Sequence, residues 1–301
     1  MASSVKRSPL FYVGDKYKLI EEIRQYFPNH IRKLVEPFVG GGSVFMNVNA
    51  EQYFLNDIDK NVIAIHKMLC SYAETPDLFF KYVDKIVKKY GLSCSYKKDI
   101  VPDELKKQFI KTYFAKFNKV GFERLRDDYN SSKHRSVQLL YVLMIYGFNR
   151  MLRFNKEGNY NLPVGNVDFN SNTIQALSNY FGLVSTKQPC WYNMDFENFV
   201  ESLELNEQDL VYLDPPYLIT FSEYNKLWNE DVELRMLYML DRLNERGIKF
   251  AVSNVTHYRG KVNELFLNWS QKYNSHPIKS NYISYHDNTT KQSTEVLITN
   301  F

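Results

Sequence analysis

The chain has 301 residues, of which 44% are hydrophobic and 24% charged. This composition excludes a disordered protein and allows one sizeable core, or a core domain with a smaller inserted one. The sequence has no long apolar run, and its short basic start lacks the apolar region of a secretory signal, so we expect neither a membrane span nor secretion.

The first part of the chain has the pattern of an α/β domain. Residues 33–39 form a short β-prone run that ends in the glycine turn of residues 40–42, and a helix-like start follows. Gln52–Asn56 is predicted as a second strand, and residues 60–72 have apolar residues at helical spacing. A strand, a turn, a helix and a second strand in this order indicate a parallel pair.

The pattern changes over residues 73–179. Charged helical stretches such as residues 115–126 dominate, and signals for parallel strands are few. Within this segment, residues 146–166 carry Asn-rich turns and a glycine between aromatic-rich arms, which predicts a β-hairpin or an extended loop. We therefore expect a mainly helical inserted domain over residues 73–179.

The α/β pattern returns from about residue 180. The predicted strands are residues 189–194, 209–213 and 247–254, and the predicted helices are residues 231–246 and 258–273. Residues 276–284 and 294–301 have no helix between them and are expected to pair antiparallel. The whole predicts a mostly parallel, doubly wound sheet with a final antiparallel strand, built from residues 1–72 and 180–301.

Functional groups are expected at one edge of this sheet, because ligands of doubly wound sheets bind at the carboxyl ends of the strands. The glycine turn, Asp57, Asp195 and Asp214 all follow predicted strands. The glycines let the backbone approach a ligand, and Asp57 can accept the ribose hydroxyls of an adenosine cofactor, which fits a dinucleotide and S-adenosylmethionine equally well. The alternatives are a tight turn without a ligand and, for Asp57, a helix N-cap. The turn matches neither the P-loop pattern nor a strict GxGxxG.

The segment Asp214, Pro215, Pro216 and Tyr217 directly follows a predicted buried strand. Two consecutive prolines cannot donate ladder hydrogen bonds, so they fix a rigid turn that directs the Asp214 carboxylate and the Pro215 carbonyl into the cleft. These acceptors suit an exocyclic amine with two N–H donors, and Tyr217 offers a ring on which an extruded base can stack. The alternative, a plain strand-ending turn, leaves the glycine turn and Asp57 upstream without a role.

These motifs, in this order, resemble those of the Dam-type N6-adenine DNA methyltransferases, with the Dam enzymes of T-even bacteriophages as the nearest likeness. The resemblance covers nearly the whole chain and is carried by residues 12–16, 37–41, 56–58, 147–148, 159–165, 214–220, 247–250 and 253–255. It implies a Rossmann-like methyltransferase fold in which the inserted domain recognises the DNA target.

The resemblance also implies roles for individual residues. It assigns the S-adenosylmethionine pocket to Tyr12, Lys16 near the cofactor carboxylate, Phe38 and Gly40 behind the methionine moiety, Asp57 on the ribose, Asp195 and Phe196 at the adenine, and Asp214. The catalytic segment would be Asp214 to Tyr217, where the amine of a flipped adenine attacks the sulfonium methyl in line and S-adenosylhomocysteine is left. We expect no covalent enzyme intermediate and no metal.

The predicted hairpin contains the residues that fall where the family contacts DNA: Asn149, Met151, Arg153, Asn155 and Pro163. Arg153 is suited to reading a guanine edge with two hydrogen bonds, and Met151 or Pro163 to touching a thymine methyl. The alternative for Arg153 is a phosphate contact or a solvated charge. The common target of the family is GATC.

The chain departs from the family pattern at three places. Phe11 stands where many members carry a Lys for readout of an outer base, Asp15 stands where Gly is common, and residues 166–168 contain no Arg after the hairpin. The sequence therefore does not determine the identity of the outer base pairs of the target.

The sequence thus predicts a site-specific adenine DNA methyltransferase that acts on duplex DNA, in GATC or a related site. A net charge of +4 and 44 Tyr and Phe (23 plus 21) suit a nucleic-acid partner, although many ordinary enzymes are equally basic. Three distant cysteines, Cys70, Cys94 and Cys190, favour a reduced cytoplasmic protein. We expect a monomer, with a cognate restriction endonuclease as a candidate partner.

Two alternatives from other functional classes stay open. The first is an amine or amide methyltransferase that acts on RNA or protein. The second is a non-catalytic DNA-binding protein on a methyltransferase fold. A nicotinamide dehydrogenase would leave the double proline unexplained.

Overall fold

A computed structural model describes residues 5–97, 101–220, 227–279 and 293–301. The strands are β1 Lys33–Glu36, β2 Gln52–Asn56, β3 Cys190–Tyr192, β4 Leu210–Leu213, β5 Lys249–Tyr258, β6 Lys261–Val262, β7 Asn274–Ile278 and β8 Ser293–Thr299. They form one sheet in the order β3-β2-β1-β4-β5-β8-β7, and β6 pairs with the end of β5. Neighbours from β3 to β5 are parallel, whereas β8 is antiparallel to β5 and β7. This topology confirms the predicted mostly parallel sheet with a final antiparallel strand.

Helices cover both faces of the sheet. They are α1 Ile20–Ile23, α2 Ser43–Asn47, α3 Lys60–Ser71, α4 Pro76–Tyr90, α5 Asp103–Gln108, α6 Tyr113–Ser131, α7 Val137–Tyr146, α8 Ser171–Lys187, α9 Phe196–Glu201, α10 Glu230–Glu245 and α11 Glu264–Ser270. Successive strand residues face opposite layers, as Leu34 packs with the apolar residues of α3, α7 and α8, and Val35 with those of α9, α10 and α11. No helix in the described ranges is both long and apolar enough to cross a bilayer.

The predicted helix over residues 258–273 is wrong in its first part. Tyr258 ends β5, and a two-residue turn at Arg259 and Gly260, with φ of 49° and 77°, leads into β6. Two successive left-handed residues break a helix and close a hairpin. The helix begins only after Asn263, whose side chain accepts from the Phe266 amide. Of the predicted strand 276–284, residues 280–284 lie outside the described residues.

The predicted inserted segment contains α4, α5, α6, α7 and an irregular arm, residues 147–165. The arm is closed by isolated bridges, Gly147 to Val164 and Phe154 to Tyr160, in place of a continuous ladder. A Cβ at Gly165 would lie 2.5 Å from the Gly147 carbonyl oxygen, so only glycine allows this close approach. One apolar core runs from α3 into α7, and α8 crosses residue 179. The domain boundary stays a prediction.

Candidate active site

A cavity of about 880 Å³ opens at the carboxyl edge of the sheet, beyond the ends of β1, β2, β3 and β4. Its lining includes every residue predicted for cofactor binding or catalysis: Tyr12, Lys16, Phe38, Gly40, Asp57, Asp195, Phe196, Asp214, Pro215, Pro216 and Tyr217. The residues predicted to contact DNA lie outside this lining, on the arm. In the described part of the chain, no group of three or more His, Cys, Asp or Glu side chains is placed to hold a metal ion.

The glycine turn and Asp57 are joined directly at the cavity wall. Gly40 has a φ of 48°, and a Cβ there would lie 3.2 Å from the Tyr12 ring. The Gly40 amide donates to Asp57 Oδ2 and the Asp59 amide to Oδ1, each at 2.9 Å. Burial raises the pKa of Asp57 to about 6. The N-cap alternative for Asp57 is wrong, because Asp59 caps α3 by accepting from the Asn61 amide.

His66 supports the same turn from behind. Its Nε2 lies 2.9 Å from the Gly40 carbonyl oxygen, and its Nδ1 lies 2.8 Å from the Tyr180 hydroxyl on α8. Burial lowers the pKa of His66 to about 4, so the ring is neutral at pH 7. Nε2–H then donates to the carbonyl, and Nδ1 accepts from the hydroxyl. The sequence pattern showed His66 only as one residue of a helix, because its partners are distant in the chain.

Asp214 lies in a charged network at the end of β4. Lys16 Nζ is 2.6 Å from its carboxylate, and the Tyr217 hydroxyl donates to Oδ1 at 2.9 Å. Both groups also approach Glu295 Oε1 on β8, Nζ to 3.7 Å and the hydroxyl to 3.2 Å. The side chains of Lys16 and Glu295 are 2% and 0% exposed. When both carboxylates are ionised, Asp214, Glu295 and Lys16 together carry a net charge of −1.

The network differs from what the resemblance implies. Lys16 is expected near the cofactor carboxylate, whereas here its ammonium contacts Asp214. Tyr217 is expected to offer its ring to a base, whereas here its hydroxyl donates a hydrogen bond to Asp214. The Lys16 Nζ also lies 5.2 Å from the centroid of the Tyr217 ring. Glu295 was missed because a single acid in a strand of apolar and hydroxyl residues gives no signal about its partners.

A second buried carboxylate, Glu36, ends β1 and lines the same cavity. Its Oε1 has no hydrogen-bond partner among the described residues. Burial raises the pKa of Glu36 to about 8, and the Lys187 ammonium opposes this rise only in part. Glu36 is therefore mainly protonated at pH 7. An acid between a buried strand and Pro37 was the one available signal for it, and it was not singled out.

An aromatic wall closes another side of the cavity. The ring of Phe38 lies 5.2 Å from that of Phe196 and 5.5 Å from that of Trp228. Beside it, Asp195 caps α9 and accepts two hydrogen bonds from Arg235 Nη2, at 2.7 and 2.6 Å. Neither Trp228 nor Arg235 was predicted, because Arg235 lies in a stretch that has only helical periodicity and Trp228 precedes that stretch without a motif of its own.

Trp228 is held in this wall by a buried carboxylate, Glu233. Glu233 Oε2 accepts from the indole N–H at 2.6 Å, and Oε1 accepts from Asn254 at 3.1 Å and Asn263 at 2.9 Å. Burial raises the pKa of Glu233, although these donors favour its charged form. The three donors come from β5, from the start of α11 and from the wall itself, so Glu233 joins these elements.

The predicted DNA-contact residues are exposed or half-buried on the arm: Asn149, Met151, Arg153, Asn155 and Pro163. Arg153 is held across the arm by Asn161, whose side-chain oxygen lies 2.9 Å from Nε and whose carbonyl lies 3.2 Å from Nη2. Arg150, which was not predicted, anchors the arm with its guanidinium 3.7 Å from the Phe11 ring centroid. Burial lowers the pKa of Arg150 to about 10.

The sequence matches a family model described as D12 class N6 adenine-specific DNA methyltransferase over residues 12–284. That span contains the glycine turn, the whole inserted segment and the Asp214 turn. Glu295, the β8 residue of the network around Asp214, lies beyond this span.

Similar proteins include three whose alignments cover nearly all of this chain. The type II methyltransferase M.FokI of Planomicrobium okeanokoites is 36% identical, over 99% of this chain and 43% of that protein. The modification methylase StsI of Streptococcus sanguinis is 33% identical, over 98% and 43%. The DNA adenine methylase of Escherichia coli strain K12 is 25% identical, over 97% and 94%. The chain thus spans less than half the length of the first two. The nearer likeness to T-even phage enzymes stays a prediction.

Proposed function

The chain belongs to the D12 class of N6 adenine-specific DNA methyltransferases, and from this membership we propose that it methylates the exocyclic N6 amine of an adenine flipped out of duplex DNA. The proposed methyl donor is S-adenosylmethionine, and the proposed target is GATC or a related site. The observation that carries the proposal is the position of Asp214, Pro215 and Tyr217, which line one cavity together with the glycine turn and Asp57.

The size and the lining residues of the cavity support S-adenosylmethionine as the cofactor. The volume of about 880 Å³ lies within the roughly 300–1,000 Å³ of small-molecule sites. Gly40 and Asp57 present a bare backbone and a carboxylate that suit a ribose, and Phe38, Phe196 and Trp228 present flat rings that suit an adenine. When bound, the cofactor supplies a methyl group on a positively charged sulfonium.

Asp214 and the Pro215 carbonyl are the proposed acceptors for the two N–H groups of the amine. Accepting both protons would draw the nitrogen toward tetrahedral geometry and free its lone pair. In this structure Lys16 and Tyr217 already donate to Asp214, so a bound amine competes with them. Glu295 Oε1 lies 3.7 Å from the Lys16 ammonium and 3.2 Å from the Tyr217 hydroxyl. It would accept their hydrogen bonds when Asp214 turns to the amine. We therefore assign Glu295 as a positioning residue.

The same network would favour the transition state electrostatically. The amine gains positive charge as it is methylated, and the two carboxylates with one ammonium present a negative field at that point. Because the network is buried, that field is weakly screened and needs no large reorganisation. Most of the rate enhancement would thus come from positioning and electrostatics.

The inserted segment, residues 73–179, is the proposed target-recognition domain. Arg153 is the proposed base reader, with Met151 and Pro163 beside a thymine methyl. Hydrogen bonds from Arg153 to Asn161 fix the guanidinium in the absence of DNA. Less side-chain entropy is therefore lost when DNA binds.

We expect the Asp214→Ala variant to lose methyl transfer while it still binds duplex DNA, because one of the two amine acceptors is gone. Single-turnover methylation of random-sequence duplex DNA, followed by sequencing of the modified positions, measures transfer and gives the target site. Asp231→Ala, which changes an exposed carboxylate on α10, is the control. Near-normal turnover by Asp214→Ala would refute its assignment.

The same assay separates the alternative functions. Methylation of RNA or protein but not of duplex DNA by the wild-type chain would support an amine or amide methyltransferase of another class. Failure to bind S-adenosylmethionine in calorimetry, with DNA binding intact, would support a non-catalytic DNA-binding protein.

A protective role beside a restriction endonuclease is a second proposal. It is favoured by relatives that are named modification methylases, StsI and the LlaI enzyme of Lactococcus lactis. DNA methylated to completion by this protein should then resist an endonuclease that cuts the sequence identified above. Unchanged cleavage would contradict the role without affecting the proposed chemistry.

A further inference from the structure

We propose that the turn between β5 and β6 binds a DNA phosphate next to the flipped adenine, through Arg259. The inference rests on the proposed function, and it concerns a surface outside the arm and outside the Asp214 turn. It adds a contact to the DNA backbone that belongs to the sheet and is independent of base sequence.

The turn between β5 and β6 lies at the rim of the cavity. The last pair between β4 and β5 is Leu213 with Val252, and β5 continues past the sheet edge to Tyr258, where it pairs with β8 and β6. The turn therefore projects above the carboxyl edge, where the cavity opens. Tyr258 and Arg259 line the same cavity as Asp214 and Tyr217.

The backbone of the turn has a left-handed conformation. Arg259 and Gly260 have φ of 49° and 77°, as in a two-residue hairpin turn. Such a turn favours Gly, Asn or Asp at its first position, and a long side chain there is strained. Turn geometry alone therefore does not account for an arginine. Residues held in sparsely populated conformations concentrate at ligand clamps.

The turn presents an exposed positive charge. The Arg259 guanidinium is exposed and lies 5.4 Å from the Tyr258 ring centroid. In the described ranges no carboxylate forms an ion pair with it. A guanidinium can donate two parallel hydrogen bonds to a phosphate.

The DNA geometry that the proposed function requires completes the argument. A nucleotide flipped into the cavity stays joined to its strand by a phosphate on each side. One of these phosphates must therefore pass close to the rim of the cavity. Arg259 is the cationic side chain that the hairpin holds at this rim.

The test is the salt dependence of DNA affinity. The slope of log affinity against log salt is negative. We expect Arg259→Gln to make it less steep by about 0.9, the value for one phosphate contact. Affinity at low salt should fall roughly tenfold, and equally for a target duplex and an unrelated duplex. The matched control is Arg246→Gln, which removes an exposed guanidinium just before the amino end of β5, at the opposite edge of the sheet. It should keep the wild-type slope.

A second variant separates binding from folding. Arg259→Gly places glycine where φ is positive, so its thermal midpoint should equal or exceed that of the wild type while its DNA affinity falls. A wild-type slope in Arg259→Gln, or a lower thermal midpoint in Arg259→Gly, overturns the proposal. If the wild-type chain neither binds nor methylates duplex DNA, the proposed function itself is wrong.

Discussion

At the scale of single residues, the Lys16 ammonium determines how two carboxylates, Asp214 and Glu295, share a buried site. Its Nζ lies 2.6 Å from one and 3.7 Å from the other. Removing the charged partner from a buried ion pair costs about 3–5 kcal/mol, so this cation stabilises both carboxylates. The same cation also binds the acceptor that the proposed chemistry needs. Glu295 resolves this conflict because it offers Lys16 a second anionic partner.

We expect Glu295→Gln to lower kcat roughly tenfold, less than the loss of a group that contacts the reacting atoms directly. The amide is isosteric but uncharged, so Lys16 should stay on Asp214 and compete with the amine. KM for S-adenosylmethionine and affinity for DNA should stay within about twofold, because Glu295 acts only through other residues. Steady-state kinetics and a thermal melt measure these effects.

The conservative variant Glu295→Asp is the control for this prediction. It keeps the charge and should recover part of kcat. A Glu295→Gln enzyme with wild-type kcat would contradict the positioning role. A parallel rise in KM with a lower thermal midpoint would indicate a structural one.

At the scale of elements, the arm over residues 147–165 presents its side chains from an irregular backbone. Its base is closed by Gly147 and Gly165, and its inner side is fixed by Arg150 on Phe11. Few ladder hydrogen bonds join its two sides, so its shape depends on side-chain contacts. The bond between Arg153 and Asn161 is one of these.

We expect Arg153→Gln to cost about 1–3 kcal/mol in binding to the target duplex and to relax preference at one base pair, as for loss of a bidentate guanine contact. Binding to duplexes substituted one base pair at a time measures both effects. Lys156→Gln, an exposed residue at the arm tip, is the control. A uniform loss across all duplexes, with a reduced salt slope, would show a phosphate contact instead.

At the scale of the whole molecule, buried ionisable groups determine how stability depends on pH. Burial raises the pKa of Glu36 to about 8 and that of Asp57 to about 6, and lowers that of His66 to about 4 and that of Lys187 to about 8. Between pH 6.5 and 8, Glu36 binds a proton in the folded state that it has lost in the unfolded chain, whereas the opposing effects of His66 and Lys187 are confined to the lower and upper ends of this window. Stability should therefore fall as pH rises through this window.

We expect the free energy of unfolding of the cofactor-free protein to fall by up to about 1.4 kcal/mol per pH unit between pH 6.5 and 8. The Glu36→Gln variant should show a flatter profile, because its side chain cannot lose a proton. Urea titrations at several pH values measure both. A wild-type profile that is flat, or that rises in this window, would contradict a protonated Glu36.

The sequence alone determined the features that obey local rules. Alternating and continuous apolar runs predicted β2 and β4, and two prolines after β4 predicted a rigid turn, because proline has no N–H for a ladder. The glycine turn and Asp57 were placed at one sheet edge by topology alone, since the carboxyl ends of parallel strands meet there.

Only the tertiary structure decided which distant side chains meet at or behind the site. His66, Trp228 and Glu295 have no pattern in their neighbourhood that names their partners, and each acquires its role from a residue far along the chain. The β5–β6 hairpin was read as helix because residues 258–273 have helical spacing, which the left-handed pair at Arg259 and Gly260 overrides. Periodicity and turn residues report on local conformation, whereas burial and charge pairing depend on contacts that form only when the sheet assembles.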